Sequence, residues 1–153
     1  MQHLIFTYGT LKQGYPNFHV NRGQRVPGVF VTTEAYPLWI IGATHLPWLV
    51  NQAGSGHAVA GELYRVDAAG LAAMDVLEQI DEPGWYERVR ISVRPQGDIN
   101  RNGNRDGDSD SDREAIPTWV YFGTAGRVAQ ETVHAGPLAE YTLQHALSYR
   151  HGP

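Results

Sequence analysis

The apolar residues of this chain come in short runs, broken repeatedly by its 17 glycines and nine prolines. Punctuation that dense leaves little room for long amphipathic helices and predicts many short strands, a β-rich fold. The expected strands cover residues 3–8, 26–33, 37–41, 48–51, 58–67, 86–94 and 117–122. The fifth is the clearest by β-branched and aromatic content. Its alternation is imperfect: Val59, Gly61, Leu63 and Arg65 face one way, and Ala60, Glu62, Tyr64 and Val66 the other, with apolar residues in both sets.

One helix stands out. Asp67 is a candidate N-cap, Leu71, Met74, Leu77 and Glu78 follow at spacings of three and four, and Asp81, Pro83 and Gly84 stop the run. Leu138, Tyr141, His145 and Tyr149 predict a second helix over 138–149. The implied architecture is α+β, a barrel-like sheet with one helix crossing its mouth. A length of 153 residues suits one domain with a real core. Residues 97–113 form the only low-complexity stretch. They sit between two expected strands, so an exposed hairpin insertion is the simplest reading.

Composition removes whole classes of function. The absence of cysteine excludes disulfides, thiolate nucleophiles and Cys-ligated metals. The 12 basic residues are scattered rather than clustered, which argues against nucleic acid as a partner. No apolar run reaches the ~20 residues that span a bilayer. Met1-Gln2-His3-Leu4 enters a strand without a basic, then apolar, leader, so a cytoplasmic protein with no membrane partner is expected. The histidines show no HExxH spacing, so no zinc site is expected. Asp98, Asn100, Asn102, Gly103 and Asp106 follow a calcium-loop pattern. Ser109 stands where the bidentate Glu belongs, so a solvated loop is favoured over weak calcium binding. Gln52-Ala53-Gly54-Ser55-Gly56 lacks the first glycine of a nucleophile elbow, and no phosphate-binding glycine motif is present.

Two features carry candidate chemistry. The first strand runs into Tyr8-Gly9-Thr10-Leu11, a tight turn expected to leave backbone N–H groups without ladder partners. Such amides form a cradle for a small carboxylate, although a purely structural β-turn reads the same way. The second is Glu78. Asp75 lies three residues before it on the same helix face. If that face is buried, desolvation and the like charge both raise the Glu78 pKa and suit it to proton transfer near neutrality. The alternative is an exposed acid at a helix C-terminus.

Taken in order, FTYGTLKQGYPNFHV at 6–20, AYPLWIIGATHLPWLV at 35–50, GSGHAVAGELYRVDAAGLAAMDVLE at 54–78 and WYERV at 85–89 resemble the gamma-glutamylcyclotransferase superfamily. Within it, the Tyr-Pro-Asn and Pro-Trp-Leu segments resemble the gamma-glutamylamine cyclotransferase branch. The resemblance covers nearly the whole chain outside residues 96–115 and the last twenty-odd positions. It implies a small mixed β-barrel with a few flanking helices. It also implies that the backbone of Tyr8, Gly9, Thr10 and Leu11 holds the glutamyl end of a substrate. Glu78 corresponds to the catalytic general acid/base, and Tyr86 and Tyr121 to pocket-lining tyrosines. The implied reaction is cyclisation of a small γ-glutamyl amine, with γ-glutamyl-ε-lysine favoured, to 5-oxoproline and free amine. No cofactor or metal is required, and a monomer is expected. Cyclisation of γ-glutamyl-α-amino acids or glutathione, or a non-catalytic carboxylate-binding module, remain as alternatives. The Asp-rich insertion and the tail Leu143–Pro153 depart from the family pattern.

Overall fold

The computed structural model describes residues 2–78, 85–96 and 115–149. The Asp-rich stretch and the calcium reading placed on it lie outside these residues.

Five strands close into a barrel in the order β1-β5-β2-β6-β7: β1 (Gln2–Thr7), β2 (Gln24–Thr32), β5 (Ala60–Asp67), β6 (Tyr86–Pro95) and β7 (Ile116–Gly123). Neighbours run antiparallel except at the closing seam, where β1 lies parallel to β7 with Ile5 opposite Trp119. A second sheet, β4-β3-β8, is built from β3 (Leu38–Ile41), β4 (Leu46–Leu49) and β8 (Val133–Ala135). The seven expected strands are all present, with ends shifted by a few residues. β4 starts earlier than expected because Pro47 is tolerated on an edge strand, where it faces Ile40. β8 went unpredicted, since three residues carry no readable period.

The mixed pattern of β5 has a physical cause. Leu63 points into the barrel interior with Phe6, Phe30, Val93, Val120 and Phe122. Tyr64 and Val66 point outward, yet they too are buried, with Ile5, Leu71 and Met74. A strand covered on both faces has no polar side to alternate with. That outer cover is α1 (Ala68–Leu77), whose N-cap Asp67 accepts from the Gly70 amide at 2.7 Å. α1 therefore packs on the outside of the β1–β5 pair and does not cross the mouth.

The expected helix over 138–149 shrinks to α3 (Leu143–Ala146). The residues before it are held extended: Leu138 N–H donates to Leu38 O at 2.8 Å, and Ala139 O accepts from Ala60 N–H at 2.9 Å. Tertiary partners thus take the hydrogen bonds a helix would need. Tyr141 is fully buried, while Leu143 and Leu147 are exposed. Between β7 and β8 lies the short α2 (Ala125–Gln130), which has no buried residue and so no apolar stripe to announce it.

One contact joins the small sheet to the barrel. Trp48 of β4 is fully buried, and its indole lies so close to Gly123 of β7 that an added Cβ would stand 2.0 Å from the ring. Its Nε1 donates to Thr124 O at 2.8 Å, which fixes the start of α2 beside the site.

Candidate active site

The turn after β1 closes through Lys12 N–H donating to Gly9 O at 3.1 Å. No positive φ is needed at Gly9. Its hydrogen is required instead by Pro47, whose Cγ would lie 2.8 Å from a Cβ there. Among the described residues, the amides of Gly9, Thr10 and Leu11 find no acceptor, so the expected set of free donors exists. Lys12, 3% exposed, anchors the turn from behind by donating to Tyr141 O at 2.5 Å.

Glu78 caps the C-terminus of α1, its N–H donating to Met74 O at 2.9 Å. The residue as a whole is half-buried, but its carboxyl is withdrawn from water. That burial, with the like charge of Asp75 second, pushes its pKa up to about 8. Arg88 grips Asp75 at 2.9 and 3.2 Å, and the Tyr121 hydroxyl donates to it at 2.7 Å. Arg88 in turn stacks 4.4 Å from the Trp119 ring centroid.

All seven residues singled out in the sequence meet in one place. Tyr8, Gly9, Thr10, Leu11, Glu78, Tyr86 and Tyr121 line a single small chamber of ≈ 20 Å³. Thr10, Pro47, Glu78 and Tyr86 also border a larger cleft of ≈ 420 Å³, so Glu78 stands on the wall the two spaces share. The tyrosine hydroxyls are tied into the frame: Tyr8 donates to Tyr121 O at 2.6 Å and Tyr86 to Pro47 O at 2.7 Å. Burial raises both phenol pKa values, so Tyr8 and Tyr86 stay neutral beside the carboxyl.

Several cleft residues escaped the sequence reading. Asn17 is 2% exposed and donates to Thr10 Oγ1 at 2.9 Å and to Tyr149 OH at 3.0 Å, while its buried Oδ1 has no partner among the described residues. Trp85, Arg127 and Glu131 line the outer cleft. Only the Tyr-Pro-Asn segment hinted at Asn17, and nothing in the pattern of 125–131 pointed to α2.

The family model described as gamma-glutamyl cyclotransferase, AIG2-like, matches residues 5–139. The chain belongs to the AIG2-like gamma-glutamyl cyclotransferase family. As a member of it, the chain is 42% identical over 95 residues to the gamma-glutamylaminecyclotransferase of Rattus norvegicus, a match covering 59% of this chain and 62% of that one. The match to the relative of the same name from Bos taurus is 33% identical over 154 residues, covering 97% of this chain and 81% of that one. The crystal structure of an AIG2-like protein from Mus musculus superposes with a TM-score of 0.70 at 28% identity, covering 99% of this chain and 96% of that one. The chain spans less than two thirds of the length of the rat relative and of the gamma-glutamylaminecyclotransferases of Homo sapiens and Danio rerio that it also matches. The mouse structure agrees with the small mixed barrel and flanking helices seen here.

Proposed function

We propose that this protein cyclises γ-glutamyl amines, γ-glutamyl-ε-lysine above all, to 5-oxoproline and the free amine by intramolecular aminolysis. The observation that carries this reading is the Glu78 carboxyl, tuned to about 8 on the wall between the turn chamber and the cleft. The names of the rat and bovine relatives support the same reaction class.

The chemistry moves two protons from the attacking nitrogen to the departing one, each through the same carboxylate. The substrate's α-amino group is an ammonium at neutral pH and cannot attack until it loses a proton. That group sits beside the substrate's own free α-carboxylate and titrates above a peptide N-terminus. A carboxylate raised toward it therefore takes the proton at a much smaller uphill cost than an untuned one would. The freed nitrogen attacks the γ-carbonyl carbon, closing a five-membered ring and placing negative charge on the carbonyl oxygen. Collapse of that intermediate breaks the original C–N bond, and Glu78 returns its proton to the departing amine. The ring nitrogen still bears two hydrogens after attack, and it passes its second proton through the same carboxylate to the released amine. 5-Oxoproline thus keeps one N–H, the amine leaves as its ammonium, and no co-reactant is needed.

In this reading the free amides of Gly9, Thr10 and Leu11 hold the α-carboxylate and bend the glutamyl chain toward attack geometry. Asn17 Oδ1, a buried acceptor without a described protein partner, takes a substrate N–H. The direct test is mass detection of 5-oxoproline from γ-glutamyl-ε-lysine, run beside glutathione. Release from the lysine conjugate is expected. Release from glutathione alone would transfer the assignment to the other branch of the reaction class.

The pH profile is a second test. Glu78 must be ionised to accept a proton, so kcat/KM should rise with pH to a midpoint near the Glu78 value. Asp75→Asn removes the like charge and leaves Arg88 uncompensated, and both changes lower the Glu78 pKa. The midpoint of that variant is expected to move to lower pH, and an upward or absent shift would contradict the assignment.

A further inference from the structure

The cleft carries a charged pair that cyclisation itself does not use. Arg127 and Glu131 both line it, yet neither borders the small chamber with Glu78 and the turn. We infer that this pair, mounted on Trp85, is a subsite for the α-amino-acid end of the leaving group. The preferred leaving group is then an α-amino acid released through its side-chain amine. The inference rests on the cyclisation reading and extends it to the far end of the substrate.

Arg127 is held for recognition. Its guanidinium lies 4.4 Å from the Trp85 ring centroid, and Trp85 packs edge-on against Trp48 at 5.6 Å. Its Nε meets Glu131 Oε2 at 3.4 Å, and among the described residues its two Nη groups have no acceptor. A stacked, planar fork with free Nη donors is suited to bidentate capture of a carboxylate. The second Glu131 oxygen, Oε1, faces Gly42, where an added Cβ would stand 3.4 Å away. It is an acceptor for an ammonium next to that carboxylate. Together the pair presents one cation and one anion side by side, the complement of a zwitterionic amino-acid head. A lone carboxylate or a lone ammonium would meet one partner and one like charge.

The rest of the wall agrees with a side-chain amine. Ile41, Leu46, Pro47 and Leu77 contribute apolar lining, suited to a run of methylenes. Were the scissile nitrogen the α-amine itself, its carboxylate would lie two bonds from the reacting centre. Among the described lining residues Arg127 is the sole cation, and it is absent from the chamber that Glu78 borders.

The test compares γ-glutamyl-ε-lysine with γ-glutamyl-pentylamine, which keeps the methylene chain and lacks the amino-acid head. Arg127→Met keeps an aliphatic stem over Trp85, and Glu131→Gln keeps the shape of the carboxylate. Each should reduce the preference for the lysine conjugate over the pentylamine by about 10- to 100-fold, the range for a lost charged hydrogen bond. The loss should appear in KM rather than kcat, as expected for binding energy remote from the reacting atoms. Arg127→Lys, charged but not forked, should recover part of it. Equal losses on both substrates, or an unaltered ratio, overturn the subsite. No 5-oxoproline from either substrate with the unaltered protein overturns the cyclisation reading, and the subsite with it, so the two failures are told apart.

Discussion

Glu78→Gln is expected to form no measurable 5-oxoproline from γ-glutamyl-ε-lysine while still binding 5-oxoproline. The glutamine keeps the shape of the side chain at the wall shared by chamber and cleft but can neither take nor return a proton. Acid/base catalysis of this kind is ordinarily worth ~10²–10⁴ in rate. Here one group serves both transfers, so the loss should reach at least that range. Retained activity within tenfold would remove Glu78 from the mechanism.

The same variant should be the more stable protein in alkaline buffer. The folded-state pKa of about 8 lies above the ordinary carboxylate value, so the folded protein holds this proton more tightly than the unfolded chain does. The associated stability is fully present below about pH 4, where both states are protonated. It declines between there and pH 8 as the unfolded chain alone ionises, and it is lost once the pH exceeds the folded value. Each pH interval of one between the unfolded and folded values is worth ~1.4 kcal/mol, so the wild-type deficit amounts to a few kcal/mol. The substituted amide has no charge to desolvate and should escape it. Thermal melts of the two proteins should nearly coincide at pH 4 and separate by ~5–15 °C at pH 9, the neutral variant melting higher. Parallel melts across that range would mean that the Glu78 carboxyl is not withdrawn from water.

Gly123→Ala is expected to be among the most damaging single-methyl changes in the molecule. An added Cβ would penetrate the Trp48 indole, which is fully buried and clamped through Nε1 to Thr124 O. The ring has no free direction, because Tyr86 packs at 4.5 Å and Trp85 at 5.6 Å. Relief therefore requires β4 to move off β7. The cost should resemble loss of the tryptophan itself, ~3–5 kcal/mol, seen as a fall in Tm of ~6–20 °C for a chain of this size. Trp48→Ala should cost a similar amount by leaving a cavity. The double variant Gly123→Ala, Trp48→Ala should be less destabilised than the sum of the two, since the added methyl enters the space the ring has left. Full additivity would show that the two residues do not meet. Because Trp48 also supports Trp85 and α2, both single variants should weaken turnover beyond what unfolding explains.

The extent to which sequence anticipates this site follows the range of the interactions involved. Asp67 capping α1 is a contact over three residues, and the spacing of Leu71, Met74 and Glu78 is set by the helical repeat, so both are written locally. The tight turn at Tyr8–Leu11 is equally local. That Tyr86 and Tyr121 join it followed from family resemblance, because no short-range rule links positions so far apart. The second helix failed at 138–141 because Leu38 and Ala60 supply hydrogen-bond partners that no window around Leu138 contains. β5 read ambiguously because α1 buries its outer face, a fact absent from the strand's own residues.

What the chain's own order of residues settled was the catalogue of parts: a β-rich fold, one capped helix, a turn with spare amides, and a carboxylate three residues after another. Whether that carboxylate would be an ordinary surface acid or a proton carrier near pH 8 was left to tertiary structure. Its pKa depends on how much water the closed barrel, α1 and the β3–β4 hairpin exclude from it. Desolvation is a property of everything that surrounds a group, and most of what surrounds Glu78 comes from elsewhere in the chain.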